Sequence, residues 1–344
     1  VVATTEGVKY FEPDIPTHRF DVGVMNDNAQ PLFVPGGTVL VGGERDRMLR
    51  HSRIVAAEGV AELRAMPAAR TSDIRKEEIP FEVSETLAPT YLRQKADFGA
   101  SSSAVDVFIT RWRRFRNEGD ERQSLEAIAV SEKLKEFCLE CQTSMGDLPQ
   151  GGSDDSRVIG VLVAVRGRIQ SIDIYATNTL LRTHFPGLLR AVSYAAAVID
   201  IRADKAGIPF DAGEDAEALK QGVTDEATKL IDRLRKAKYK REKTLPDGTL
   251  GESFLVRTTD GSRGRTIGLD GALVHLGVYP RDPFLGALYS RTLKIPEAPL
   301  EDPNRMGGTN LYIRGNMPGR RLTPYEQRVL NRWSRGGSVG GLQK

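Results

Sequence analysis

The sequence predicts an α+β fold: a β-rich N-terminal part, then a β-hairpin and helix part, with extended arms at both ends. Three observations predict it. Short β-branched runs punctuated by glycine fill residues 20–64, a pair of β-branched segments at 158–175 is followed by a long apolar helical stretch, and both termini lack periodicity. The composition agrees, because 40% hydrophobic and 28% charged residues in a chain of 344 exclude collagen-like, wholly disordered and coiled-coil classes. No apolar run approaches the roughly 20 residues that a membrane-spanning helix needs.

Residues 1–20 carry Pro13 and Pro16 and read as an extended arm. The core domain then spans 21–280, β-rich over 21–110 and mixed over 111–280. DVGVMND, PLFV, TVLVGG and RIVAAEGVAELRAM read as strands, with Gly36-Gly37 and Gly42-Gly43 as tight turns or bulges. Residues 71–123 are polar and irregular, ending in VDVFITRWRRF, whose RWRRF reads as a strand. Apolar residues at Leu125, Ile128, Leu134 and Phe137 predict a helix over 124–144. Residues 158–165 and 169–175 predict two strands around an Arg166-Gly167 turn. Asn178 or Thr179 would cap the next helix, which Pro186 would break or kink. A second long helix is predicted over 215–240, and after Pro246-Asp247-Gly248 strands return at ESFLVRTT and GALVHLGVY. Residues 281–344 form a Pro/Gly-rich extension with one short helix, TPYEQRVLNRW, capped by Thr323.

Residues 31–50, PLFVPGGTVLVGGERDRMLR, together with GVLVAVRGRIQSIDIYATNTLLRTHFPGLLRAVSYAAAV and ALVHLGVY, resemble a bacterial family. It is the ARG and rhodanese-phosphatase-superfamily-associated protein domain, and the likeness covers about residues 20–280. The resemblance implies the fold, and a link to ADP-ribose and NAD through the gene neighbours for which the family is named. Arg47 matches the family phrase, whereas Arg45 and Asp46 stand where it has Gln and Asn. Where many members read C-V-E-Q-G-R-W, this chain keeps only Arg70 and places Pro67 at the glutamate position. That departure argues against an inherited reaction.

The chemistry-bearing residues are sparse. Cys138 and Cys141 are too few for a disulfide framework and half of a structural zinc site, and they read as ordinary semi-buried thiols on a helix. His18, His51, His184 and His275 have no metal-ligand spacing, and His275, inside an apolar strand, reads as a satisfied core imidazole. No metal or cofactor is expected. Asp173 alternates with Ile172 and Ile174, so it lies on the opposite strand face, as a solvent-facing group or a site carboxylate. Gly36, Gly37, Gly42 and Gly43 with Arg45 and Arg47 could form an anion nest suited to a pyrophosphate, although turn geometry explains the same glycines. Neither a P-loop phrase nor a nucleophile elbow occurs.

Two basic clusters remain. Arg111, Arg113, Arg114 and Arg116 interleave with Trp112 and Phe115, and residues 233–243 read RLRKAKYKREK. Because 49 Lys and Arg meet 46 Asp and Glu, nucleic acid is an unlikely partner, and the second cluster reads as the solvated end of a helix. Arg111, Trp112, Arg114, Tyr325 and Trp333 are the candidate partner-binding residues. Two functions are expected: a non-enzymatic binding or assembly subunit whose arms dock onto neighbours, or an ADP-ribose- or NAD-related ligand-binding domain or enzyme using Arg47, Arg70 and Asp173. The opening VVATTEGVKYFEP is compatible with a cleaved secretory signal, so cytoplasmic and exported locations both fit.

Overall fold

The computed structural model describes residues 1–280 except 3, 71–73, 76–78, 99–103, 107, 111–123, 130–131, 146–157, 166–167, 206–215 and 243. Within them both sheets and helices form, and strands dominate. Eight short strands come first: β1 (Val8–Phe11), β2 (Val22–Asn26), β3 (Leu32–Val34), β4 (Thr38–Val41), β5 (Arg47–Leu49), β6 (Arg53–Val55), β7 (Gly59–Leu63) and β8 (Ala65–Pro67). After β9 (Glu82–Leu87) come α1 (Thr90–Asp97), α2 (Leu125–Ala129) and α3 (Glu132–Met145). The hairpin β10 (Gly160–Val165) and β11 (Arg168–Tyr175) precedes α4 (Asn178–Lys205) and α5 (Ala216–Arg235). The described part closes with β12 (Lys238–Arg241), β13 (Thr249–Leu250), β14 (Glu252–Arg257), β15 (Arg263–Leu269) and β16 (Ala272–Tyr279). No helix among the described residues is long and apolar enough to cross a membrane.

The N-terminal strands are too short to make one sheet and divide among three: β1-β2-β7, β13-β6-β3 and β8-β5-β4-β9. Their inward residues, among them Val22, Val24, Leu32, Leu40, Leu49, Val55 and Leu63, share one core. The later strands build a six-stranded sheet of order β10-β11-β16-β15-β14-β12. Its alternation is what positions the site. Ile172, Val256, Leu276 and Val278 lie on the face packed under α5, against Leu230 and Leu234. The other face meets the N-terminal strands and α4 through Phe33, Ile54, Tyr175, Leu180, Leu181, Ile267 and Val274.

Several expectations need correction. Residues 1–20 do not stand apart as an arm: β1 pairs with β2, and Val2 bridges Leu32, so this segment completes its own body's sheets. The predicted 124–144 helix is present as α2 and α3; Ser124 Oγ accepts the Ala127 amide hydrogen and so starts α2 one residue into the predicted span. The α4 cap is Thr177, whose Oγ1 accepts the Leu180 amide hydrogen, because Asn178 instead donates to the Val158 carbonyl. α4 also continues through Pro186. Packing of Leu188 and Ala191 on Leu87 of β9 holds the helix there despite the lost backbone bond. The 215–240 helix ends at Arg235. Lys238 to Arg241 instead pair with β14, because an available sheet edge outweighs helix propensity. The Arg166-Gly167 turn, RWRRF and the 281–344 extension lie outside the described residues.

Candidate functional site

The site is a buried polar centre where the inner face of the six-stranded sheet meets α1 and the N-terminal strands. Asp173 on β11, Gly277 on β16 and Arg265 on β15 are cross-strand partners in one row. His275 and Tyr279, two residues either side of Gly277, share its face. From α1, Arg93 reaches Asp173, with Nη2 donating to Oδ1 at 2.5 Å, both side chains being almost wholly buried. Gly37 makes that reach possible. At φ +89 its missing Cβ would sit 2.6 Å from Arg93 Cγ, so a side chain there would displace the arginine.

His275 continues the chain of bonds. Its Nε2 lies 3.3 Å from Asp173 Oδ1, and its Nδ1 lies 3.3 Å from Ser52 Oγ. With Nε2–H donating to the carboxylate, Nδ1 accepts the Ser52 hydroxyl hydrogen, and Ser52 Oγ in turn accepts the Gly36 amide hydrogen at 2.9 Å. This is a serine–histidine–carboxylate relay, but one in which Arg93 occupies the carboxylate. The expectation of a satisfied core imidazole for His275 is met. Burial alone would raise the Asp173 carboxyl, yet the Arg93 charge and the His275 bond more than offset it and hold it well below the usual range.

A second network adjoins the first. Asp97 at the end of α1 binds His51 Nδ1 at 3.0 Å and Arg265 Nε at 2.9 Å. Arg265 also pairs with Glu242 at 2.5 Å, and Arg53 reaches the same carboxylate at 3.3 Å. Burial pushes His51 down to about 4, with the nearby Arg265 adding to the effect against the Asp97 bond. Gly36, Arg50, Ser52, Arg93, Asp97, Arg265, His275, Gly277 and Tyr279 enclose a cavity of about 10 Å³, the room one water requires.

A model of the ARG and Rhodanese-Phosphatase-superfamily-associated Protein domain, ARPP-1, matches residues 20–279. The chain belongs to that family. No curated protein and no solved structure matches it.

In this ARPP-1 domain the phrase that carries Arg47 and the segment that departs from the family meet by strand pairing: β5 pairs with β8 so that Arg47 faces Pro67. Arg47 finds its carboxylate elsewhere, on Glu12 at 3.0 Å, and its guanidinium lies 5.3 Å from the Phe20 ring. Asp46 Oδ1 accepts the Gly42 amide hydrogen and a bond from Arg75. Arg45 is buried and Arg70 half-buried just after β8. The Gly36, Gly37, Gly42 and Gly43 amides donate to Ser52 Oγ, the Leu49 carbonyl, Asp46 and the Ile79 carbonyl. All four glycine amides therefore have partners inside the chain.

Asp173 lies at a different centre from Arg47, each with its own counter-ion. It is neither solvent-facing nor isolated, but buried against Arg93. Arg111, Trp112, Arg114, Tyr325 and Trp333 lie outside the described residues. Cys138, on α3, packs against the core. Among the described residues, no group of three or more His, Cys, Asp or Glu is placed to hold a metal. Arg93, Ser52, Asp97, Arg265 and Glu242 were missed from the sequence. Each sits in a separate segment, and no local spacing links them; the only signal is Arg263-x-Arg265 alternating along what proves to be β15.

Proposed function

We propose that this chain is a non-enzymatic binding or assembly subunit, which docks onto neighbouring subunits or a partner protein through its terminal segments. One observation carries the reading. The register of β1-β2-β7 sets Phe11, Met25 and Val60 on the outward face of that sheet, opposite the face that fills the N-terminal core. Phe11 is 39%, Val60 54% and nearby Ile15 90% exposed, so the N-terminal segment offers apolar surface to water. Thr17 binds Glu62 on β7, which ties the Ile15 loop to the same sheet. Further support comes from the candidate acid–base and anion-binding groups Asp173 and Arg47, which are engaged with internal counter-ions.

Light scattering tests it. The full chain is expected to run above monomer mass, and Val60→Asp or Ile15→Asp, or termination at Asp282, to return it to monomer. A monomer in every form would overturn the reading. The second reading, an ADP-ribose- or NAD-related domain, is favoured by buried Arg47, whose Nε and Nη1 have no hydrogen-bond acceptor among the described residues. Saturable calorimetric binding of ADP-ribose, abolished by Arg47→Ala, would support it, and no heat with either ligand would remove it.

A further inference from the structure

We propose that the β12 edge of the six-stranded sheet docks an extended acidic segment of a partner protein, which adds there as a further strand. In the register of β12, β14 and β15, Lys238, Arg257 and Arg263 stand directly opposite one another in one cross-strand row. Lys240, two residues along β12, shares their face. All four residues are exposed, and none has a carboxylate partner among the described residues. The nearby carboxylates are engaged elsewhere: Asp260 with Arg233, Glu252 with Arg241 and Glu242 with Arg265. Like charges set directly opposite in a sheet oppose folding, and a bound anion relieves them. Lysines on an edge strand also repel unwanted strands, but Arg257 and Arg263 belong to interior strands, where no edge needs guarding. Arg263 rests on the Phe98 ring, whose centroid lies 5.6 Å from its guanidinium carbon.

The backbone of β12 decides how a partner fits. The Glu242 amide donates to the Ser253 carbonyl, so the bonded positions in this antiparallel pair are 242, 240 and 238. The N–H and C=O groups of Tyr239 and Arg241 therefore point away from β14, and among the described residues no strand lies beyond β12. An antiparallel strand bonded to Tyr239 and Arg241 sets its own residues opposite Lys238 and Lys240 at the closer, non-bonded positions, about 4.5 Å away between Cα atoms. Carboxylates on alternate residues of an extended segment repeat about every 7 Å, which is the pitch of Lys238 and Lys240. A nucleic acid would meet the same cations but leave the open backbone groups unmatched. The edge belongs to a different sheet from the β1-β2-β7 face, so it stands independently of docking through the terminal segments.

The test is fluorescence anisotropy of the full chain at low salt with a labelled eight-residue peptide that alternates glutamate and threonine. Saturable binding is expected, weakened about tenfold by Arg257→Gln/Arg263→Gln and likewise by Lys238→Gln/Lys240→Gln. The same peptide with glutamine for glutamate should not bind. Nor should the glutamate peptide N-methylated on its threonines, which keeps its charge but cannot complete the ladder. Because Arg257 lies between two like charges, Arg257→Gln should raise the melting temperature of the free chain by about 1–3 °C. No binding, full binding by either double variant, full binding of the N-methylated or glutamine peptide, tighter binding of a single-stranded RNA of equal charge, or an unraised melting temperature would each overturn the proposal.

Discussion

Changing Asp173 to Asn keeps the shape of the buried centre and removes one charge. In the folded chain Arg93 then keeps its guanidinium in the interior with a single amide oxygen to accept from it and no counter-ion; the Tyr279 ring, 5.8 Å away, is the remaining electrostatic partner. A cation–π contact supplies about 0.5–2 kcal/mol. Orphaning one member of a buried pair costs about 3–5 kcal/mol. At about 2 °C per kcal/mol for a domain of this size, the melting temperature should fall by roughly 6–10 °C. The double variant Arg93→Met/Asp173→Leu removes both charges and should recover most of that loss, since apolar replacement of a buried pair is often neutral. Recovery stays incomplete, because His275 Nε2 loses its acceptor at a cost of about 1–3 kcal/mol. Thermal melts followed by near-ultraviolet circular dichroism on the wild type, Arg93→Met, Asp173→Leu and the double variant measure the coupling, with Asp173→Asn beside them. A loss under about 2 °C for Asp173→Asn, or a double variant as unstable as the sum of the singles, would refute the view that this pair holds the centre together.

Other expectations concern pH and backbone. Burial pushes both His51 and His184 down to about 4 in the folded chain, so the unfolded chain binds more protons between pH 6.5 and 4. Stability should therefore be full above about pH 6.5 and fall as pH drops towards 4, by at most roughly 3 kcal/mol for each histidine. His184→Phe should flatten that limb in melts taken from pH 7.5 to 4.5; an unchanged slope would count against it. Asp21 runs the other way: burial raises it to about 6 despite Arg64, so its contribution is lost as pH rises through 6, and Asp21→Asn should remove that loss. Ser52→Ala leaves the Gly36 N–H and His275 Nδ1 without their partner and should cost about 1–3 kcal/mol in denaturant titrations. Gly42→Ala combines a φ of +145 with a Cβ 2.4 Å from the Pro80 carbonyl oxygen, and little folded protein is expected on expression at 37 °C.

The strands from Val22 to Leu63 and the β10–β11 hairpin were legible because each carries β-branched residues between glycine or proline breaks. Among the strands that were missed, β1, β5, β9, β12 and β15 include charged residues that alternation could not sort. Arg47 on β5 and Arg265 on β15 sit where an apolar residue would mark burial, and only Glu12, Asp97 and Glu242, distant in sequence, make those positions tolerable. Lys238 to Arg241 read as helix because local propensity knows nothing of the β14 edge. For the site, period-two alternation was enough to set Asp173 apart from Ile172 and Ile174, and an apolar strand was enough to bury His275.

By itself, then, the sequence determined the α+β class, the family's span and which face of β11 carries the carboxylate, because these depend on composition, order and a period of two. The tertiary structure decided what that carboxylate does. Whether Asp173 meets water, substrate or Arg93 depends on where α1 packs over the sheet, and an ion pair between residues 80 positions apart leaves no trace in the spacing of either segment.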